Sequence, residues 1–254
     1  MAQLSALKED RELSASITAH AHYLMTNYAG KIRDGGLMGN AGHEEDPSKP
    51  GFSAAGRAAS HNSQLAWGCG PCDFEPQITQ WIAGPFNRFA MLNPAITEAG
   101  FGEVCDNGCW VGGLRLPPAP EAVKPYAQPV EFPPDGATVS LGWTGMEWPD
   151  PLAACPGYTA PVGLPITLQL GRLVNPALSA YSLTRNGQAI ESCAFDAYSY
   201  SNSDPNAQEY GRWALRSSGA VVLIPRAPLE PGGQYSVSIA ALGHPYAWSF
   251  RVGD

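Results

Sequence analysis

Long apolar runs are missing from this sequence: the longest uninterrupted aliphatic stretch, Ala220 to Ile224, is far short of the roughly 18–20 residues that cross a bilayer as a helix. A helical membrane span is therefore excluded. Charge is scarce as well. Only 15% of residues are Asp, Glu, Lys or Arg, and 15 basic against 23 acidic residues leave a net charge of −8 with no Lys/Arg cluster. Such a field repels phosphate backbones and anionic lipid, so nucleic acid is not an expected partner. The first 30 residues lack the basic start and apolar middle of a signal peptide, so either the protein stays inside the cell or a leader has already been removed. No internal repeat or low-complexity tract is present.

Cysteine decides between those two locations. Six cysteines fall into three sequence-local sets, Cys69 with Cys72, Cys105 with Cys109, and Cys155 with Cys193, an even number that suits three disulfides and an oxidising compartment. The expectation is a secreted or periplasmic protein whose signal peptide is gone. If the local pairs are the bridges, loop closure contributes about 2 kcal/mol for each short loop and roughly 4 kcal/mol for Cys155 to Cys193. At 254 residues, with 44% apolar residues and many turn formers (Gly 28, Pro 24), the chain fits two globular domains.

Helical signals fill the first third. In RELSASITAHAHYLMTNY, Leu13, Ile17, Leu24 and Tyr28 keep one helix face apolar, and His20 lies on that face. A second helix is expected from the N-cap Ser53 through AAGRAASHNSQLAW, and a third after Asp73 with Ile78, Trp81 and Ile82 inward. AGFGEV and CWVGGLRL flank Asp106-Asn107-Gly108, a tight hairpin turn. Residues 117–130 are rich in proline, which lacks a backbone donor and favours extended chain, so they read as a connection between domains at 1–116 and 131–254. Beyond it ITLQL, AYSLTR, QAIESCAF, AVVLIP, YSVSIAAL and YAWSFRV, separated by turn residues, have the spacing of a β-sandwich. The fold class is α+β.

The stretches GHEEDPSKPGFSAAGRAASHNSQLA and ITQWIAGPFNRFAMLNPAITEAGFGE, with the preceding HAHYLMTN, resemble bacterial members of the CAP superfamily of cysteine-rich secretory proteins, antigen 5 and pathogenesis-related proteins. The resemblance covers residues 10 to 116 and rests most on Trp, a small turn, an Arg, Leu-Asn-Pro and Gly-x-Gly. It implies an N-terminal α-β-α sandwich whose cleft gathers two histidines and two acidic residues, followed by an Ig-like module. His43 matches the first of those histidines and Glu45 an acidic residue. Ser63 stands where relatives carry the glutamate, and Asn87 stands where they carry the second histidine, before Arg88.

The replacements limit the chemistry. A carboxamide neither titrates nor binds transition metals well, whereas imidazole does both. His43 with Glu45 supplies two of the about three protein ligands that zinc needs, so no cofactor is expected, and at most weak metal binding unless His20, His22 or His61 joins. Glu45 beside His43 could orient the imidazole for acid/base catalysis, or the two could simply order the loop before Pro47. Ser63 lies in no nucleophile elbow. The cleft, lined by His61, Ser63, Asn87 and Arg88, therefore suits recognition of a small-molecule, lipid, glycan or cell-wall ligand better than turnover, and a monomer is expected. An extracellular hydrolase using His43 and Glu45 is one alternative, and a structural or adhesive pair of modules the other.

Two further patterns carry less. Cys-Gly-Pro-Cys at residues 69–72 has a redox spelling without the preceding strand of a βαβ unit, and the four cysteines 69, 72, 105 and 109 lack the context of a zinc ribbon. Aromatics of the second half, Trp143, Trp148, Tyr158, Tyr198, Tyr200 and Tyr210, either pack inward or form a stacking surface for sugars. The Tyr-rich FDAYSYSNSDPNAQEY reads as an exposed loop.

Overall fold

The computed structural model describes residues 4–37, 42–117, 125–143, 145 and 147–254. It is a mixed α and β structure of two compact units, one formed by Ser5–Ile78 with Ala95–Pro120, the other by Met1–Leu4, Thr79–Pro94 and Glu121–Asp254.

The first unit is built on a helix laid against a sheet. Asp10 caps helix α1 (Arg11–Arg33) by accepting the N–H groups of Glu12 and Leu13, and Ile17, His20, Ala21 and Leu24 recur as its buried face. Strands β1 (Lys8–Glu9), β2 (Ser63–Cys69), β3 (Glu98–Asp106) and β4 (Cys109–Arg115) form a sheet in the order β1-β3-β4-β2, antiparallel except for β1 with β3. A Cβ at Gly100 would strike the α1 backbone at Leu13 and Ser14, and one at Gly102 would strike Thr18. The Gly-x-Gly pattern is thus the close approach of helix to strand. Asn107 and Gly108, both at positive φ (49° and 73°), make the expected hairpin turn between β3 and β4.

Two expectations fail here. The segment HNSQLAW does not continue the second helix: α2 (Ala54–Ser60) stops at Ser60, and residues 63–69 become β2 because β4 supplies its ladder. That register also changes the cysteine pairing. Cys69 lies directly across from Cys109 and is bonded to it, and Cys72 is bonded to Cys105, in place of the sequence-local pairs. Cys155 pairs with Cys193 as expected. With 40 and 33 residues between partners, the two corrected loops each close at about 4 kcal/mol in isolation, the nested one adding less.

The second unit holds two facing sheets. β5 (Pro125–Phe132), β7 (Ile166–Gly171), β10 (Ser192–Phe195) and β11 (Ala220–Pro225) run in the order β10-β11-β7-β5; β6 (Thr138–Val139), β8 (Ala180–Arg185), β9 (Gln188–Ala189), β12 (Gln234–Ala241) and β13 (His244–Val252) in the order β6-β13-β12-β8-β9. Ile166, Leu168, Val221 and Leu223 meet Val237, Ile239, Trp248 and Phe250 between the sheets. On the other face of the first sheet, Val222, Ile224 and Phe132 pack with Phe86 and Phe89 of α4 (Pro85–Met91) and with Ala214 and Leu215 of α5 (Pro205–Ser218). Burial on both faces is why AVVLI reads as an unbroken apolar run.

Two segments of this unit differ from the sequence reading. Residues 125–132, which overlap the end of the proline-rich connection expected at 117–130, are a strand, and Pro125 and Pro129 are accommodated because β5 is a sheet edge whose register shifts between Pro125 and Val130; residues 118–124 of that connection lie outside the described residues. The end of the Tyr-rich stretch is not loop. Asp204 caps α5, whose buried face, Ala207, Gly211, Ala214, Leu215 and Ser218, is mostly small and so easily missed. The boundary between the units falls inside helix α3 (Glu75–Ala83), and places residues 79–94 with the β-rich half.

Candidate functional site

Residues 42–45, Gly-His-Glu-Glu, place three ionisable side chains in three different settings within the first unit. Glu45 turns inward and meets His20 from the apolar face of α1: Nδ1 of His20 is 2.9 Å from Glu45 Oε1, and both residues are buried. His20 Nε2 donates to the carbonyl of Gly42 at 2.8 Å. A carbonyl only accepts, so Nε2 carries a proton, and a single proton is shared on the Nδ1 side between imidazole and carboxyl. Whichever partner holds it, the pair is neutral overall, which is what a dry interior tolerates.

Helix α2 completes this pair. Glu45 Oε2 accepts from the backbone N–H of its N-cap Ser53 at 3.1 Å, and Ser53 Oγ accepts from Gly56 N–H at 2.9 Å. Gly56 is required there, since a Cβ would overlap Glu45 Oε1. The adjoining loop is tethered to α1 as well: Asp46 N–H donates to Tyr23 Oη, and Asn27 donates to the Pro50 carbonyl, each at 2.8 Å.

His43 is different. It is half-buried, and its Nδ1 donates to the Ser60 carbonyl at 2.8 Å, which leaves Nε2 as the unprotonated, accepting nitrogen. Burial pushes its pKa below the ordinary imidazole value, against a smaller opposing effect of the Ser60 hydrogen bond, so the ring is neutral at neutral pH. Ser60 Oγ donates back to the His43 carbonyl at 2.9 Å and locks the loop to the end of α2. Glu44 and His61 form an exposed pair at 3.6 Å.

The residues singled out by sequence are divided between the two units. His43, Glu45, His61 and Ser63 all lie in the first unit, but Glu45 is bonded to His20 and to Ser53 rather than to His43. Ser63 Oγ donates to the Ala59 carbonyl at 2.7 Å, a strand-start contact. Asn87 and Arg88 belong to the second unit. Asn87 N–H donates to Glu147 Oε1 at 2.7 Å. Arg88 is fully buried and places four of its five N–H donors on the carbonyls of Ile82, Ala83 and Pro165 and on Thr167 Oγ1, with its guanidinium 3.8 Å from the Phe132 ring centroid, so it is packed into the core of its own unit rather than presented to an open cleft. Among the described residues, no three His, Cys, Asp or Glu side chains converge as a metal site.

His20 and Ser60 escaped assignment by sequence. His20 left a signal, an imidazole on an otherwise apolar helix face; Ser60 left none, because both its carbonyl and its hydroxyl act on a residue 17 positions away. No protein-family model matches the chain, and no curated protein matches it either.

Proposed function

We propose that the chain is an extracellular, CAP-like protein joined to an Ig-like module, and that its first unit binds a ligand through His43 rather than transforming one. The single observation that carries this reading is the division of labour at residues 43 and 45. Glu45 is spent on His20 and Ser53, so His43 lacks the carboxylate that would make it a stronger base, yet retains a neutral, accepting Nε2. Such a nitrogen receives an O–H or N–H from a hydroxylated lipid, a glycan or a cell-wall fragment. Three disulfides fit an oxidising exterior.

Thermal unfolding of the protein with soluble peptidoglycan fragments, chito-oligosaccharides, fatty acids and sterols tests the proposal. One class is expected to raise the midpoint of the natural protein and to leave His43→Ala unmoved, with that variant folded by circular dichroism. Turnover of any of these compounds that disappears in His43→Ala would replace binding by hydrolysis. No response in any arm would leave the adhesive reading.

A further inference from the structure

Large aromatic rings are rarely left in water, yet the second unit leaves several in a row. Trp148, Tyr210 and Trp213 are 55%, 44% and 59% exposed. Their ring centroids are 5.2 Å apart from Trp148 to Tyr210 and 5.3 Å apart from Tyr210 to Trp213, with planes tilted by 41° and 48° at the two steps, so the three rings adjoin in succession. Tyr210 and Trp213 stand on the outer face of α5, whose inner face is the stripe of small residues packed on the sheet.

The row continues. Arg216, one helical turn beyond Trp213, holds its guanidinium 5.7 Å from the ring centroid of Tyr198. Tyr198, itself 60% exposed, forms part of the wall of a hollow of about 530 Å³ that also includes Tyr181, 42% exposed. Its polar lining comes from Asn175, Ser179 and Ser199. Asp196 lines it too, and these groups are already held in place: the Asp196 carboxylate accepts from the N–H groups of Leu178, Tyr198 and Ser199 and from Ser199 Oγ, Ser179 Oγ donates to the Ala240 carbonyl, and Asn175 Oδ1 accepts from Ala177 N–H.

We propose that this band, from Trp148 over Tyr210 and Trp213 to the hollow at Tyr198, is a binding track for an extended, neutral polysaccharide. The chemistry selects that occupant. Flat π faces in succession match the apolar C–H faces of successive sugar rings, while hydroxyl and amide groups beside them meet sugar hydroxyls. The exposed residues of α5 beside the rings, Asn206, Glu209 and Arg216, are polar, and none on that face is aliphatic, unlike the mixed apolar centre of a protein interface. A net charge of −8 disfavours nucleic acid, the other common partner of stacked aromatics. The hollow is open to solvent and lies within the usual size of ligand sites. This inference concerns the unit that lacks His43, and does not rest on the reading of that residue.

Depletion binding of the full chain to three neutral polymers, microcrystalline cellulose, chitin and an insoluble β-1,3-glucan, tests it, alongside Trp148→Ala, Trp213→Ala, the double variant, Trp213→Phe and the off-track control Leu7→Ala. Saturable binding to at least one polymer is expected, weakened about tenfold or more by the double variant, largely kept by Trp213→Phe and unchanged in Leu7→Ala. Quenching of the natural protein's tryptophan fluorescence by soluble cello- or chito-oligosaccharides gives a readout independent of how the variants fold. Three results would overturn the proposal: no binding to any of the three polymers, binding indifferent to the loss of both tryptophans, or self-association that Trp213→Ala abolishes.

Discussion

Arg88 and Glu147 show how strongly a single residue's setting governs its chemistry. Burial lowers the Arg88 pKa to about 9, which still leaves the guanidinium charged at neutral pH, held by carbonyls and an aromatic face. Glu147, whose carboxylate is enclosed, caps α4 by accepting Asn87 N–H, and burial raises its pKa from 4.5 to about 8 against the smaller opposing effects of that hydrogen bond and of Arg88. A carboxyl whose folded pKa lies above its unfolded one contributes stability that is complete below the unfolded value and declines as pH rises through the folded one. Its contribution is therefore full below about pH 4.5 and gone above about pH 8. Glu147→Gln keeps the accepting oxygen and cannot ionise, so its stability relative to the natural protein should rise across this window by on the order of a few kcal/mol. Urea midpoints of the two proteins at pH 4.5 and 8.5 check the sign; an unchanged difference would contradict the enclosed setting. In the sequence, Arg88 reads as a residue lining a cleft and Glu147 is only a glutamate beside a tryptophan.

At the scale of elements, helix α2 carries the more diagnostic case. Gly→Ala in a helix usually stabilises, by about 1 kcal/mol. At Gly56 the added methyl meets Glu45 Oε1 and must displace the His20–Glu45 pair or the helix start. Gly56→Ala should therefore destabilise by about 1–3 kcal/mol, as overpacking does, and His43 should lose its fixed tautomer as the loop shifts. Chemical denaturation measures the first effect, and imidazole nitrogen chemical shifts the second. Elements with strong local signals were legible in the sequence: α1 from its periodicity, the β3–β4 hairpin from Asn107-Gly108, and β11 from its apolar run. Those that depend on a distant partner were not. HNSQLAW has no local reason to stop being a helix, and becomes strand only because β4 is beside it; α5 hides because its buried face is made of residues too small to stand out.

For the molecule as a whole, the disulfides distribute by unit, Cys69–Cys109 and Cys72–Cys105 in the first and Cys155–Cys193 in the second. Peptide mapping without reduction should recover these pairs, and a Cys69–Cys72 linkage would contradict the β2–β4 register. Replacing Cys155 and Cys193 by alanine should lower the stability of the second unit by about 2–4 kcal/mol, leaving the His43 resonances of the first unit unchanged. Composition and short-range pattern determined that no apolar stretch is long enough for a helical span, that the net charge is −8, that the cysteines form an even set, and that helical signals come early and strand signals late, because these properties are sums or local patterns along the chain. Which cysteine meets which, that Glu45 answers His20 rather than His43, and that Trp148 joins Tyr210 and Trp213 were decided only by tertiary structure. Each depends on residues far apart in the chain, whose meeting is set by strand register and helix packing rather than by their neighbours.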